Sequence, residues 1–292
     1  MKQILLFFIL SSVIGLAQER GLQRFTLGLD NDSFVFGLGD KYYTSGIFIH
    51  YEFNAKKFPL LKSDKGVLVK ATFGQKMFTP KDQDTDIVEN YDRPFAGWLF
   101  TSLTAFKQNE NQIFGIGLEM GVTGNASQAK ALQRWFHKTF NFPGILAWKA
   151  QIPSELMFNT SAIYKRKFTN KIFSESVATI GTKDIYFQQG MYLLFFDDFK
   201  TFHQLSINKL QVSVYAALKY RFIGYDALIE GSIWNDKAPL TKDITNHMFL
   251  TEAGIKFAFH KIRLDVGYYY NTKQTPQVQG HIYGNLNLGY TF

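Results

Sequence analysis

The feature that most constrains the fold of this sequence is a period-two alternation of apolar and polar residues over long segments. One such segment has large apolar residues at Phe114, Ile116, Leu118, Met120 and Val122, with glycine or glutamate at every intervening position. Segments 210–218 and 262–270 alternate in the same way. Because successive side chains of a strand point to opposite faces, each segment predicts a β-strand with one apolar face.

A soluble β-sandwich also alternates, but three properties favour a transmembrane barrel. The segments are about ten to thirteen residues long, against about five or six for ordinary strands. Aromatic residues gather near their ends, as in the girdles of membrane barrels. The face opposite the apolar one carries charges of both signs, which a barrel would hold in its lumen: Asp30, Lys70, Glu119, Glu252, Lys256, Arg263 and Asp265. We therefore predict an all-β fold, an antiparallel barrel closed so that no strand edge meets lipid.

About twelve segments follow this pattern, an even number as in single-chain bacterial barrels. After residue 17 no apolar run is long enough for a membrane-spanning helix, and the absence of cysteine excludes disulfides and thiolate metal sites. The predicted strands lie near 22–32, 43–54, 67–79, 97–108, 111–124, 155–169, 172–183, 184–197, 209–222, 246–261, 262–274 and 281–292.

The first seventeen residues predict a secretory signal peptide. Lys2 precedes a short apolar run, and small residues stand at the −3 and −1 positions of a cut after Ala17. Residues 18–292 would then form a single outer-membrane barrel domain. Removal of Lys2 lowers the formal net charge from +8 to +7. A secreted basic chain favours an anionic membrane surface or substrate over nucleic acid, and we expect a monomer.

The lengths of the connections predict the orientation of the barrel. With the N-terminus in the periplasm, the short turns at 109–110, 170–171 and 260–261 are periplasmic, and the long connections 80–96, 125–154 and 223–245 are extracellular. In the longest one, Ser127 is placed to cap a helix that runs to about Phe140, with apolar residues at helical spacing. Long structured loops often carry function.

Polar residues converge at the first extracellular connection. Asn31 and Asp32 end the first strand, and Thr44 begins the second; alternation places Asp32 and Thr44 on the polar side of the sheet. Carboxylate, amide and hydroxyl oxygens suit a hard cation such as calcium. The spacing is not that of an EF-hand, and Asp and Asn also build turns, so both interpretations stay open.

His137 lies on the predicted loop helix, where its imidazole could act as a general base for water. A lone loop histidine is more often without a catalytic role. The sequence contains neither a Gly-x-Ser-x-Gly elbow nor a His-Glu-x-x-His motif, which weakens serine-hydrolase and zinc-peptidase interpretations.

These residues carry a resemblance to a known family. Asn31-Asp32 and the stretch DKYYTSG at 40–46 resemble the Asn-Asp and DRYYTNG signature of the outer-membrane lipid A 3′-O-deacylase family. DRPFAGW at 92–98 is similar to the family's RPYAGW, and GVTGNAS at 121–127 to its GVxGPA. The similarity continues through Gln133, His137, WKAQ at 148–151 and LIEGS at 228–232. It covers nearly the whole mature chain, and the final aromatic residue, Phe292, resembles the assembly signal of outer-membrane proteins.

The resemblance implies a twelve-stranded barrel that uses calcium to hydrolyse the 3′-linked acyloxyacyl ester of lipid A at the outer leaflet. By position, Asn31, Asp32 and Thr44 would belong to the metal and catalytic site, with His137 as the base. Basic and polar residues would contact the lipopolysaccharide substrate: Lys41, Ser45, Arg93 and Arg134, with Lys81 and Lys138 as further candidates. Lys41 and Ser45 replace the family's Arg and Asn and are not equivalent to them.

Two other functions remain open. A passive pore or structural barrel would keep the fold without activity, although mixed charges in the lumen are expected to plug it with ion pairs. An outer-membrane phospholipase would use the same histidine and calcium chemistry on glycerophospholipids.

Overall fold

Twelve antiparallel strands form a closed barrel, in which each strand pairs with its neighbours in sequence and β1 pairs with β12. The computed structural model describes residues 22–35, 41–55, 61, 66–83, 85, 87–141, 148–204 and 210–292, so the predicted signal peptide lies outside the described residues. The strands are β1 (Gln23–Asn31), β2 (Tyr42–Ala55), β3 (Val67–Thr79), β4 (Ala96–Gln108), β5 (Gln112–Thr123), β6 (Leu156–Lys167), β7 (Ile172–Gly181), β8 (Asp184–Leu194), β9 (Gln211–Asp226), β10 (His247–Phe259), β11 (Ile262–Asn271) and β12 (His281–Thr291).

The prediction of twelve strands is confirmed, with most boundaries within two or three residues of the expected ones. The largest difference between an observed and a predicted boundary is at the end of β9. This strand extends to Asp226, whereas the pattern predicts an end near 222. We call the end of the barrel that holds the start of β1 and the end of β12 the terminal end, and the opposite end the loop end. That the terminal end is periplasmic stays a prediction.

Alternation sorts the side chains into an outward apolar surface and a charged lumen. Phe25, Leu27 and Leu29 of β1 are about two-fifths to one-half exposed, as expected for a surface that meets lipid. In the lumen, opposite charges form ion pairs, three between neighbouring strands and one within β11, and the prediction of mixed internal charges is confirmed. The pairs are Arg24–Glu52 (2.8 Å), Lys165–Glu175 (2.8 Å), Lys219–Glu252 (2.5 Å) and Arg263–Asp265 (2.9 Å).

The three α-helices of the described residues all lie in connections: α1 (Ala129–Phe140), α2 (Phe199–Phe202) and α3 (Ala227–Glu230). None of the described helices is long and apolar enough to cross a membrane. The 3₁₀ turns are Asp32–Phe34, Val88–Asn90 and Gly124–Ser127.

The predicted loop helix is confirmed as α1, but the predicted cap is wrong. Gln128 is the N-cap residue, with φ of 59° and no hydrogen bond from its side chain. Ser127 belongs to the preceding 3₁₀ turn, where its hydroxyl donates to the Gly124 carbonyl at 2.6 Å. The Ser127 hydroxyl also accepts the Ala129 N–H at 3.4 Å, but the extra turn makes Gln128, not Ser127, the residue next to the helix.

Aromatic residues fill both ends of the lumen. At the terminal end, the β8–β9 connection carries α2, and its Phe199 and Phe202 pack with Phe173 and Tyr215 of the wall. At the loop end, α3 places Leu228 in one cluster with residues of the wall, including Phe48, Trp98 and Phe100. The sequence did not predict α2, because its four residues are too few to show a helical period.

Candidate functional site

The helix α1 begins against the outside of the barrel wall. Phe73 of β3 is 45% exposed and faces outward, so Gln75 and Met77, two and four residues later, share that face. Both are nevertheless buried, because α1 and its preceding turn cover them. The Gln75 side-chain amide donates to the Ser127 carbonyl at 2.5 Å.

Gly97 of β4 allows this close contact. It pairs with Met77 in the sheet, and a Cβ atom at Gly97 would lie 2.1 Å from the Ser127 hydroxyl oxygen and 2.5 Å from the Ala129 Cβ. Any side chain here would push the helix away from the wall. The site is therefore built on the outer surface of β3 and β4, at the loop end.

One stripe of α1 faces the protein and leads to His137. Ala129 and Gln133 are buried, and His137 is the next residue at a spacing of four and is half-buried. The Trp148 indole N–H donates to the Gln133 side-chain oxygen at 2.7 Å, and the indole stacks on Phe95 at 5.2 Å between centroids. This anchor fixes the helix one turn before His137.

A row of paired residues crosses the sheet from β1 through β2 and β3 to Gly97 of β4, where α1 begins. Asn31 pairs with Ser45, Ser45 with Met77, and Met77 with Gly97. Asn31 follows Leu27 and Leu29 on the outward face of β1, so the whole row lies on the outer surface. The structure thus brings the predicted residues Asn31 and Ser45 onto the same surface as the helix that carries His137.

A β-bulge changes the orientation predicted for Thr44. The register of β2 and β3 shifts between Tyr43 and Ser45, which leaves Thr44 as the extra residue. Its hydroxyl lies 2.8 Å from that of Thr79, which continues the outward row of β3 after Met77. Simple alternation placed Thr44 on the luminal side. That placement is wrong, because the bulge reverses the alternation at this one residue.

Asp32 is also displaced from the luminal row predicted for it, because the strand ends at Asn31 and the chain enters a 3₁₀ turn. The Asn31 side-chain oxygen caps this turn by accepting the Ser33 N–H at 2.8 Å, so its turn-building role is confirmed. Asp32 is completely buried, and one of its carboxylate oxygens accepts the Lys41 N–H at 3.0 Å. The two ends of the first connection are joined through this carboxylate.

The oxygen donors predicted for the first connection have the chemistry that a hard cation prefers. They are a buried carboxylate, an amide and a hydroxyl, from Asp32, Asn31 and Thr44, and all offer oxygen. A buried carboxylate is costly unless a compensating charge or several donors surround it, and a cation would supply that charge. Within the described ranges, no group of three or more His, Cys, Asp or Glu residues could hold a metal. An ion here would therefore need amide, hydroxyl or backbone oxygens as well.

The predicted substrate-contact residues have different surroundings. The Lys41 ammonium lies 6.0 Å from the Tyr42 ring centroid, and Arg134 is exposed on α1. Arg93 is only 1% exposed; it stacks on Phe78 at 4.6 Å and donates to the Gln274 side-chain oxygen at 2.7 Å. Burial lowers the pKa of Arg93 to about 10. Arg93 joins two loops in this structure, and its contact with substrate stays a prediction.

The first residue of β12 and the connection before it support the bulge from a distant part of the sequence. The His281 imidazole donates from Nε2 to the Tyr43 carbonyl at 3.0 Å, and the Gln279 N–H donates to the Tyr42 hydroxyl at 3.1 Å. Tyr42 itself has a positive φ of 58°. The sequence alone did not indicate these contacts, since only closure of the barrel brings β12 beside β1 and β2.

Comparison with known proteins agrees with this architecture. Residues 3–292 match the family described as "Outer membrane protein LpxR". The chain belongs to the LpxR family. It is therefore an outer-membrane protein, and its membership supports an enzyme that modifies lipid A. No curated protein sequence matches the chain.

Among solved structures, LpxR from Salmonella typhimurium superposes with a TM-score of 0.75 at 16% identity, covering 92% of this chain and all of that one. At this identity the likeness shows the fold. The translocator domain of the autotransporter NalP from Neisseria meningitidis is also similar, at 10% identity and a TM-score of 0.46, covering 99% of this chain and 95% of that one.

Proposed function

We propose that the protein is a calcium-dependent lipid A 3′-O-deacylase, an esterase that hydrolyses the 3′-linked acyloxyacyl ester in the outer leaflet. The observation that carries the proposal is the position of the helix. The stripe of Ala129, Gln133 and His137 approaches the outer surface of the barrel, where Asn31 and Ser45 lie in one row. A substrate embedded in the surrounding leaflet would reach this surface without leaving the membrane.

The chemistry follows from His137 acting as a general base. An imidazole nitrogen takes a proton from a water molecule, whose oxygen attacks the acyl carbonyl carbon. When the tetrahedral intermediate collapses, the bond between the acyl carbon and the 3′ oxygen breaks. The same imidazolium returns its proton to the leaving oxygen, which yields the 3′ hydroxyl group and a free carboxylic acid that still carries its acyloxy chain. No covalent intermediate with the protein is required.

Asp32, Asn31 and Thr44 would hold the calcium ion, which when bound supplies positive charge beside the carbonyl oxygen as negative charge develops there. The Lys41 ammonium, at the same connection, would attract the phosphates of lipid A. Gln133, through Trp148, would fix the direction of the helix and with it the imidazole.

The test is mass spectrometry of lipid A from cells that produce the protein or its variants. The wild type is expected to remove the 3′ acyl chains. His137→Ala is expected to reduce the rate on the order of 10²–10⁴-fold, the usual contribution of a general base. His247→Ala is the matched control, since His247 is also at the loop end but on β10, where it bonds to Tyr220 at 2.6 Å. Chelation of calcium should also stop the reaction.

Two outcomes would replace the proposal. Intact lipid A together with cleaved glycerophospholipids would identify a phospholipase. Intact lipid A and phospholipids together with conductance in planar bilayers would identify a pore. The filling of the lumen by α2 and α3 argues against this outcome.

A further inference from the structure

The lumen contains a cavity of about 300 Å³ near the terminal end, far along the strands from the row of Asn31 and Ser45. It lies between the charged walls of the barrel and the connection that carries α2, whose Phe202 and His203 line it. Nothing in the proposed reaction uses this space. Its chemistry is set by the charged side chains around it.

Counted by formal charge, basic side chains outnumber acidic ones in this part of the lumen. Among the described residues of the cavity wall and the ion pairs directly behind it, six cationic side chains face four carboxylates. The cationic ones are Arg24, Lys70, Lys165, Lys219, Lys256 and Arg263, and the acidic ones are Glu52, Glu175, Glu252 and Asp265.

The ion pairs identify the two lysines in excess. Each of the four other cationic side chains bonds to a carboxylate. Lys70 and Lys256 line the cavity, and neither makes an ion pair with a carboxylate within the described part of the chain. The Lys256 ammonium lies 3.4 Å from the centroid of Phe202, which holds it at the cavity wall without neutralising it.

Arg24 adds a third unsatisfied group. Its Nε donates to Glu52, but its NH1 nitrogen is buried with no hydrogen-bond partner. A guanidinium nitrogen in this state is costly unless an acceptor is nearby. Arg24 lines the same cavity as Lys70 and Lys256.

His203 does not change this charge excess, because its imidazole is neutral. Its Nδ1 donates to the Phe199 carbonyl at 2.8 Å, and its Nε2 accepts from the Lys165 ammonium at 3.5 Å. Burial, with the adjacent Lys165, holds the pKa of His203 well below its usual range, so the imidazole is neutral. The neighbouring carboxylate, Glu175, is already bonded to Lys165.

We infer that this luminal cavity binds a small oxyanion of the phosphate class, held by Lys70 and Lys256 with Arg24 beside them. Two ammonium groups and a guanidinium suit an anion with several acceptor oxygens. The volume admits a phosphate ion with a few water molecules but not a lipid. The anion would neutralise the charge excess and join β3, β10 and the α2 connection, which stabilises the closed terminal end.

The probe is inorganic phosphate, added to the detergent-solubilised full-length protein at constant ionic strength with chloride as the reference anion. Calorimetry is expected to show one phosphate per chain. The thermal midpoint should rise by about 5 °C or more when phosphate exceeds its Kd a hundredfold. Lys70→Met and Lys256→Met should each weaken phosphate binding at least tenfold.

Lys76→Met is the matched control, because Lys76 is on the same strand and side as Lys70 but nearer the loop end, over Phe100 at 5.6 Å. Lys41→Met controls for binding of phosphate at the proposed lipid A site. Absence of phosphate binding to the wild type beyond that of chloride would overturn the inference. Equal binding in Lys70→Met, Lys256→Met and the wild type would also overturn it, as would loss only in Lys41→Met. Should one of the two luminal lysine variants fail to fold, the other one, compared with Lys41→Met and Lys76→Met, decides.

Discussion

The outer surface at the loop end and the lumen at the terminal end use polar residues in opposite ways. The outer surface combines one buried carboxylate, Asp32, with neutral oxygen donors and a half-buried histidine. The lumen contains paired charges on neighbouring strands, such as Arg24–Glu52 and Lys219–Glu252. A lipid substrate can reach the first region from the membrane, whereas the second is enclosed by the wall.

This difference indicates that the number of charged side chains in a region does not by itself show where a membrane barrel has its active site. The lumen is the more strongly charged region, yet most of its charged side chains form ion pairs with one another. The outer site has fewer charges, and its features are a bulge, a capped turn and a helix in contact with a glycine. Substitutions in the two regions should therefore separate activity from stability.

The largest effect on activity after that of His137 is expected from Asp32→Asn. The amide keeps the shape of the side chain and removes the negative charge that would hold the cation, so deacylation should fall on the order of 10²-fold or more. The rate of 3′ acyl release as a function of calcium concentration measures this effect, and the concentration for half-maximal rate should rise.

Asp236→Asn is the control for Asp32→Asn. Asp236 is an exposed acidic residue of the β9–β10 connection and is not among the proposed ligands. An Asp32→Asn protein with wild-type rate and calcium response would remove Asp32 from the metal site.

The next effect is expected from Gly97→Ala, which tests whether the helix must contact the wall. The added methyl would meet Ser127 and Ala129 at distances below 3 Å, so α1 must shift. A displacement of about 1 Å in a catalytic group can reduce the rate by up to about 10²-fold. We expect reduced deacylation with a nearly unchanged thermal midpoint, since the barrel strands remain paired.

Gly117→Ala is the matched control for Gly97→Ala. Gly117 is on the adjacent strand β5, where a Cβ would lie 3.1 Å from the Thr104 hydroxyl and no closer to any other atom. If both alanine variants have the activity of the wild type, close contact between α1 and the wall is not required for catalysis.

A smaller loss of activity is expected from Gln133→Leu. Leucine cannot accept the Trp148 N–H, and an unpaired buried donor costs about 1–3 kcal/mol. The helix should therefore be less firmly anchored one turn before His137, and deacylation should fall several-fold. Gln133→Glu, which keeps an acceptor oxygen, is the comparison. Equal rates for Leu and Glu variants would show that the bond to Trp148 does not position the helix.

Much of the barrel is predictable from sequence because lipid and lumen impose a strict alternation on each strand. The row Phe114, Leu118 and Val122 and the inward pair Arg263 and Asp265 follow from that rule alone. The residues at the candidate site were indicated by resemblance to a family. The orientation of their side chains was not indicated, because alternation predicts that Thr44 points into the lumen and does not detect a bulge.

What the sequence could not indicate depends on contacts between distant segments. Gly97 belongs to the motif at 92–98, but nothing in that motif shows that α1 lies over it, and His281 contacts Tyr43 only because the barrel closes. The helix α2 is similar, since its phenylalanines look like part of an ordinary apolar stretch. Local periodicity predicts strands, whereas closure and packing decide which of them share a site.

The smallest effect is expected from Asp198→Ala in the terminal region, and it should leave deacylation unchanged. Asp198 caps α2 by accepting the Thr201 N–H at 2.8 Å, and loss of such a cap costs about 1 kcal/mol, or about 2–4 °C in the thermal midpoint. That hydrogen bond lowers the pKa of Asp198 in the folded protein. Its contribution to the free energy of unfolding is therefore complete at a pH above the ordinary carboxyl pKa, and it is lost as the pH falls through the lowered pKa of the folded state. The thermal midpoint of Asp198→Ala should therefore lie below that of wild type at pH 7 and approach it in strong acid. Asp236→Ala, at an exposed position of the β9–β10 connection, is the control and should have the wild-type midpoint at every pH. Reduced deacylation by Asp198→Ala at full folding would instead couple the terminal end to the outer site and contradict their separation.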